Sequence, residues 1–555
     1  MVSLAYAAPI KNWLQTILGA GMTQALMAEA ALATAAFLLP SLVMGALFSH
    51  LSTSARSSGI SFGQALGANT LGAAVAPAIF GVVLVPEVGV KVALLILIAG
   101  YLALVSRSAW RNPIQWSTAA VALAFAIWLP RLVIVDIPPG GRLLNYQEGA
   151  MSAVSIVEDS NGVATLHIDN RQQEGSSATL FADARQALLP MLLHPAPHRA
   201  LFLGLGTGVT ASTAAMDAKL EVDAVELLPE VIRASSYFTR PLDDGAPSSR
   251  LHFMVADARR FVRASDQRYD LIVADNFHPA RSGSGSLYTV EHFQAVRARL
   301  ADDGLFCQWL PLHQLDLETL RSIVRSFLSA YPHGVALLAT NSLETPVVGL
   351  IGGASDEQRF DVDRLRSRLA NIAMKRAPPE FGVVDDFALL GNFIAGPQAL
   401  TRFAGAAPLN TDDRPVVAYR APRITYAPDS SPRDRLIALL REVDASPSEL
   451  LSGSRPPDFD ARLAAYWNAR NRFIEVGRDV RPTADAEQML AQVRAPLLQV
   501  LHISPDFRPA YDPLVRMAAA LVSADPTGAR TLLLELEQAQ PARAEAAAVL
   551  AEMNR

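Results

Sequence analysis

Between Arg199 and Thr210 an apolar run, Arg-Ala-Leu-Phe-Leu, stops at Gly204, Gly206 and Gly208 and gives way to helix-like sequence. A strand that ends in glycines spaced by two can turn sharply without Cβ obstruction, and it brings peptide N–H groups and a helix N-terminus close to a ligand. Plain packing turns use the same residues, so the loop alone leaves both readings open. The segments that follow narrow the choice. Glu221 to Glu226 reads as a short strand ending on an acid, Leu251 to Asp257 ends in Asp257-Ala258, and Tyr269 to Asp275 ends on Asp275. Each of these acids taken singly is a turn or helix-cap residue. Ligands of open α/β sheets bind at the carboxyl ends of the strands, so Glu226, Asp257 and Asp275 are predicted to converge with the glycine loop on one pocket.

Other segments extend the pattern: Leu189-Pro-Met-Leu-Leu-His-Pro195 before the first strand, Val225-Glu226, Asp275 with Pro279, Leu287-Tyr288, Gln308-Trp-Leu-Pro-Leu312 and Asn410-Thr-Asp-Asp-Arg-Pro415. With these, residues from about Tyr146 to Tyr419 resemble the polyamine aminopropyltransferase (spermidine synthase) family. The resemblance is to its bacterial branch in which such a domain follows membrane helices. It implies a Rossmann-like, methyltransferase-type doubly wound sheet and an adenosyl-sulfonium co-substrate: decarboxylated S-adenosylmethionine, with methylthioadenosine as product, or S-adenosylmethionine itself. By resemblance, Gly204, Gly206, Thr207 and Gly208 cradle the donor and Glu226 holds its ribose. Asp257, with Ala258, takes the adenine, and Gln173 lies on the nucleoside side. Asp275, Gln147 and Tyr288 face the amine or polyamine acceptor. The amine must lose a proton before it attacks the carbon beside sulfur, so a nearby base is the main chemical requirement.

The chain departs from the family pattern where that chemistry sits. Asp275-Asn-Phe-His-Pro279 carries His278 where the family has an acid. An imidazole with an ordinary pKa near 6.5 is mostly neutral in cytoplasm and suits proton acceptance, although it offers a cationic amine no negative charge. The other reading of His278, a turn residue before Pro279, stays open. Thr207 stands where the family has an aspartate at the donor's amino end. Asp183 falls within the stretch where the family has Tyr-His-Glu, and it reads either as a partial substitute or as a surface helix acid. The adenosyl half of the site is therefore better marked than the amine half.

Residues 136–180 are expected to form a small β-region, with Ser160-Asn-Gly162 as a hairpin turn and Gln147 and Gln173 available to a ligand. Arg281 to Ser286, rich in glycine and serine, suits either a lid or a plain surface loop. Residues 181–425 are assigned to the transferase domain. Residues 426–555 follow a proline-marked shift in composition and carry helical spacing that suits either a repeat-like module or a helical cap.

A chain of 555 residues that is 51% hydrophobic and 18% charged is too apolar for one soluble domain. The excess lies in residues 1–135, where Leu26 to Phe48, Gln64 to Val85, Val90 to Val105 and Trp116 to Leu129 are near spanning length. About four spans are expected, with Leu4 to Gly21 lying along the surface, the last two stretches short enough to be re-entrant, and no cleaved signal peptide. Basic residues balance on the two sides of these stretches. The cytoplasmic location of adenosyl-sulfonium ligands instead places the transferase domain on the cytoplasmic face of a bacterial inner membrane. Cys307, the single cysteine, reads as a core thiol. No His/Cys cluster has metal spacing, and a net charge of -5 gives no nucleic-acid footprint.

The expectation is a membrane-anchored transferase that moves an aminopropyl or related alkyl group to an amine, with a homo-oligomer left open. A methyltransferase using intact S-adenosylmethionine and a catalytically silent polyamine or nucleoside sensor are the alternatives.

Overall fold

The computed structural model describes residues 6–19, 21–105, 111, 113–128, 132–133, 135–170, 172–243, 248–355, 359–541 and 543–553. They divide into two compact units, residues 1–179 with 228–239, and residues 180–227 with 240–555.

In the first unit, helices Met22–Ser57 and Phe62–Ala103 are both long and apolar enough to cross a membrane, and Trp116–Trp128 is a shorter apolar helix. Phe37, Leu38, Leu39 and Leu42 are exposed along the first of these. Two of the apolar stretches expected as separate spans lie in the second long helix, which contains a π-helical turn at Ala78–Leu84 and a break at Gly89 (φ 78°, ψ 162°). Of the expected surface helix, Ala7–Leu18 is helical, while Leu4, Ala5 and Ala20 lie outside the described residues. So do Arg107 to Trp110 and Leu129.

The same unit carries a four-stranded antiparallel sheet of β1 (Arg142–Glu148), β2 (Ala153–Glu158), β3 (Ala164–Ile168) and β4 (Gln172–Ser176), in that spatial order. Glu158 pairs with Ala164 across the predicted hairpin, and Gly162 takes the positive φ of +79° that the turn needs. Val154, Ile156, Ala164, Leu166 and Ile168 are buried.

The second unit is built on eight strands. They are β5 (Arg199–Leu203), β6 (Glu221–Glu226), β7 (Leu251–Val255), β8 (Tyr269–Ala274), β9 (Leu300–Pro311), β10 (Val335–Leu338), β11 (Val347–Gly353) and β13 (Phe393–Ala395), β12 (Phe360–Asp361) belonging to a separate two-stranded pair. The spatial order is β13-β10-β11-β9-β8-β5-β6-β7. β5, β6 and β7 run parallel outward to one side of β5, and β8 and β9 continue the parallel sheet on the other. β11 then inserts antiparallel between β9 and β10. This order is that of a Rossmann-like sheet of the methyltransferase type. Parallel strands are covered on both faces, which is why Ala200 to Leu203, Leu271 to Ala274 and Leu305 to Leu310 are unbroken buried runs.

Phe306 stacks on Phe327 and Phe327 on Tyr331, with ring centroids 6.0 and 4.8 Å apart, and Phe293 meets Phe327 edge-on at 5.4 Å. Full burial of such side chains contributes roughly 1.5–3 kcal/mol each. Leu436, Ile437, Leu440 and Ile474, from the helical tail, join this same core. Arg435 donates to the carbonyls of Leu315 (2.7 Å) and His313 (3.0 Å), and Trp467 Nε1 to that of Leu390 (3.0 Å), so the first tail helices complete the α/β fold. Helices Ala486–Ile503, Arg508–Leu521, Pro526–Ala539 and Glu545–Met553 follow, each packed on the one before. Cys307 is fully buried on β9, where desolvation pushes its thiol pKa up and keeps it protonated.

Candidate active site at the carboxyl ends of the central strands

The strand order reverses between β5 and β8, so the crevice of the sheet opens where these two strands end. β5 runs into Gly204, Gly206 and Gly208, whose φ values are +86°, +51° and +77°. Gly204 N–H donates to Val225 O (2.9 Å), and Asp275 N–H donates to Leu203 O (2.9 Å), tying the loop to both neighbouring strands. A Cβ on Gly204 would stand 2.8 Å from Phe277 Cε1 and 3.1 Å from Asp275 Cβ. The first glycine is thus imposed twice, by its left-handed backbone and by the turn after β8.

Glu226, at the end of β6, accepts the Leu205 N–H through Oε2 at 3.1 Å, which fixes its carboxylate against the loop. Thr207 is 4% exposed, and its hydroxyl donates to Asp183 Oδ2 at 3.4 Å. Asp183 also accepts from Gln186 Nε2 at 3.4 Å, so the acid predicted from sequence either as a substitute or as a surface residue lies against the glycine loop. Asp257 follows β7 and accepts the Arg260 N–H at 2.8 Å, which makes it the N-cap of the helix that begins at Ala258.

Asp275 accepts the N–H of Asn276 through Oδ1 at 2.8 Å, and burial holds its carboxyl above the ordinary range. Three residues on, burial and the Arg281 guanidinium both push the His278 imidazole below its ordinary pKa, so the ring is neutral at pH 7. Its Nδ1 is buried without a hydrogen-bond partner among the described residues. Tyr288 has no exposed surface, and its hydroxyl donates to Phe277 O at 2.5 Å; it acts on the site by holding the turn that carries His278. Gln147 and Gln173 belong to the other unit. Gln147 pairs with Val154 and accepts from Arg233 Nε at 2.7 Å, while Gln173 pairs with His167 and is exposed.

The stretch after His278 is tied down rather than loose. Ser284–Tyr288 is a 3-10 helix, and Asn410 Nδ2 donates to Gly285 O (3.1 Å) and Tyr288 O (2.8 Å) while its Oδ1 accepts from Val417 N–H (3.2 Å). Arg259 donates to Ser286 O at 3.0 Å and pairs with Asp412. The Asn-Thr-Asp-Asp-Arg-Pro segment is therefore a clamp on this wall of the crevice.

Sequence reasoning passed over Gln308 as a site residue, and His313 and Gln314 altogether. Gln308, wholly buried on β9, donates to Asp275 O (3.3 Å) and Trp309 O (2.9 Å). His313 and Gln314 form the short turn after β9, with the amide nitrogen of Gln314 3.1 Å from His313 Nε2. Burial pulls the His313 pKa to about 4, and the neighbouring His278 and Arg435 add to the effect. The signal available in the sequence was two polar residues interrupting the apolar run Trp309 to Leu315.

Residues 186–341 match the spermine/spermidine synthase domain. Polyamine aminopropyltransferases are among the curated relatives. That of Methanocaldococcus jannaschii is 26% identical over 178 residues, 32% of this chain and 60% of the relative. That of Thermotoga maritima is 29% identical over 168 residues, 27% of this chain and 55% of the relative, and that of Moorella thermoacetica is 23% identical over 239 residues, 42% and 83%. The chain thus spans 60% and 55% of the length of the first two. A solved spermidine synthase from Thermotoga maritima aligns at 18% identity and a TM-score of 0.39, covering 48% of this chain and 88% of that one. The glycine loop, the strand-end acids and His278 all lie within residues 186–341, the part of this chain that matches the spermine/spermidine synthase domain.

Proposed function

We propose that this chain is a membrane-anchored transferase that moves an aminopropyl or related alkyl group from an adenosyl-sulfonium donor to an amine. The observation that carries the reading is the convergence of the Gly204 loop, Glu226, Asp275 and His278 on the adjoining carboxyl ends of β5, β6 and β8. Glu226, fixed by Leu205 N–H, is in position to take ribose hydroxyls, and the loop backbone to pass close beneath the donor. Asp257, with Ala258, supplies the adenine side. Asp275 orients the amine, and Tyr288 supports the turn from behind.

His278 is assigned the base. In the reaction the amine nitrogen forms a bond to the carbon beside sulfur, the carbon–sulfur bond breaks with its electron pair staying on sulfur, and the amine proton passes to His278. A neutral, buried imidazole with an unpartnered nitrogen is suited to that transfer.

Membrane anchoring is supported by helices Met22–Ser57 and Phe62–Ala103, whose exposed leucines, valines and phenylalanines call for a lipid environment. The expected location is the cytoplasmic face of a bacterial inner membrane, and the same helices support a place in the membrane-fused branch.

The test is to offer the purified chain decarboxylated and intact S-adenosylmethionine with a panel of amines. Release of methylthioadenosine supports alkyl transfer. Release of S-adenosylhomocysteine would replace this reading with a methyltransferase, and binding without turnover would favour a sensor.

A further inference from the structure

The loop that enters β5 and helix Val362–Asn371 enclose a cavity of about 290 Å³ beside the amino end of β5. The glycine loop leaves the other end of that strand, five residues and therefore roughly 16 Å away. Pro195 and Pro197 stiffen one wall. The facing wall is built by helix spacing: Arg364, Ser367, Arg368 and Asn371 recur at intervals of three and four, so they share one face. Lys219, from the connection between β5 and β6, completes the lining.

Lys219, Arg364 and Arg368 are all cations, and no carboxylate is among the described residues that line the cavity. The acids next to it are engaged elsewhere. Asp217, wholly buried, accepts from Arg368 Nη2 at 2.6 Å and from the Lys219 N–H at 3.0 Å. Asp270 accepts the N–H groups of His198 and Arg199 at 2.8 and 2.9 Å, and with Asp303 it acts on the ring of His194. Asp361 caps the helix through the Arg364 N–H at 2.9 Å, and Asp363 pairs with Arg366 at 3.8 Å. Asp217 thus balances Arg368, while the side chains of Lys219 and Arg364 have no ion-pair or hydrogen-bond partner among the described residues.

Hydrogen-bond donors are left over as well. The Arg368 side chain is only 10% exposed, and its Nε has no partner among the described residues. Asn371 Nδ2 donates to Ser367 Oγ at 3.4 Å, so that hydroxyl keeps its own proton to give. A buried guanidinium N–H without an acceptor costs free energy until a ligand supplies one. Two unpaired cations, a spare N–H of a third and a free hydroxyl suit a doubly charged oxyanion better than a carboxylate with its single charge.

We infer that this cavity binds the phosphate of a phosphomonoester, at a site separate from the crevice at the carboxyl ends of the strands. A soluble ester and the headgroup of phosphatidic acid both present that group.

The experiment titrates the full chain in phosphatidylcholine nanodiscs with inorganic phosphate, glycerol 3-phosphate and acetate by calorimetry, and repeats the glycerol 3-phosphate titration in discs that contain phosphatidic acid. The expected result is saturable binding of both phosphates at millimolar concentration or below, with acetate at least tenfold weaker. Lys219→Gln combined with Arg364→Gln changes two exposed positions and leaves the Asp217–Arg368 pair in place. It is expected to weaken phosphate binding about tenfold or more with the unfolding temperature unchanged. Binding of glycerol 3-phosphate that disappears in the discs with phosphatidic acid would assign the site to the lipid headgroup, and binding that persists would assign it to a soluble ester. No saturable phosphate binding in phosphatidylcholine discs, acetate bound as tightly as phosphate, or affinity unmoved in the folded double variant would overturn the assignment. No adenosyl ligand enters these titrations, so their outcome is independent of the transferase reading.

Discussion

The hydroxyl of Thr207 and the carboxylate of Asp183 lie 3.4 Å apart, so the glycine loop and helix Leu180–Leu193 meet through a hydroxyl and an acid. An acid at this point places negative charge beside the loop that Thr207 itself does not supply. With a donor that ends in an ammonium, Asp183→Asn is expected to weaken binding about tenfold or more, the scale of one lost charge-assisted hydrogen bond. Methylthioadenosine, which lacks that ammonium, serves as the control. Equal weakening of both ligands in a titration would assign Asp183 to holding the loop alone.

Gly204 faces Phe277 and Asp275 too closely for any side chain. Gly204→Ala combines a left-handed backbone with a contact at 2.8 Å, and the expected cost is about 2–4 kcal/mol in thermal unfolding, along with lost affinity for adenosyl ligands. Adding Phe277→Leu removes part of the ring and should restore part of the stability, while the backbone share of the cost remains. Full recovery in the double variant would mean that the backbone conformation costs nothing.

These two relationships also mark what can be read from the chain before it folds. The glycine loop and the acids at 226, 257 and 275 are local signals, each an apolar run followed by a polar terminus, and they were legible. The partners of those residues were not. Asp183 meets Thr207 because a helix formed before β5 packs beside the loop that follows it. His313 and Gln314 reach the site because β9 pairs parallel with β8 and ends beside it, a pairing no local pattern encodes. Arg435 lies in the segment 426–555 that the sequence marks as a separate helical tail, yet it bonds the turn of the candidate site through two carbonyls. Buried arginines that bond loop carbonyls look in sequence like exposed surface charge.

His278 as base predicts a particular pH profile. Burial and Arg281 lower its pKa, so the neutral form persists below pH 6.5 and the acid limb of kcat/KM should lie on the acid side of 6.5. Arg281→Gln removes one of the two causes and should move that limb upward. His278→Ala should lower kcat by roughly 10²–10⁴ with donor affinity preserved, the usual range for a lost general base. A limb unmoved by Arg281→Gln, together with full activity in His278→Ala, would return His278 to the role of a turn residue.

Asn410 reaches the wall of the crevice from a segment more than 120 residues further along the chain, bonds two carbonyls there, and accepts the N–H of Val417 in its own segment. Asn410→Ala leaves the Gly285 and Tyr288 carbonyls and the Val417 N–H without that partner. The expected loss is about 2–4 kcal/mol, since each buried polar group left unpaired costs about 1–3 kcal/mol and part of the site relaxes. Asn410→Asp keeps the size but exchanges a donor for an acceptor, and should do no better. Protease cleavage near Arg281 to Ser286, rising in both variants before global unfolding, would report release of this wall.

Acid sensitivity should trace to His292. The ring is 0% exposed, both nitrogens lack hydrogen-bond partners among the described residues, and burial, with Arg259 and Arg263 adding, lowers its pKa to about 3. The folded-state value lies below the unfolded one, so above pH 6.5 neither state binds the proton and the group has no effect on the pH dependence. As pH falls from 6.5 toward 3, the unfolded chain takes up a proton that the folded chain refuses, and stability is lost through that window. At pH 5 the loss from this one residue is about 2 kcal/mol. His313, at about 4, acts in the same direction. The raised carboxyl of Asp275 has the opposite sign, favouring the fold only at pH values low enough to protonate it. His292→Leu, which fills the site with an apolar side chain, should therefore raise the unfolding temperature more at pH 5 than at pH 8. An equal shift at the two pH values would show that His292 does not carry the acid response.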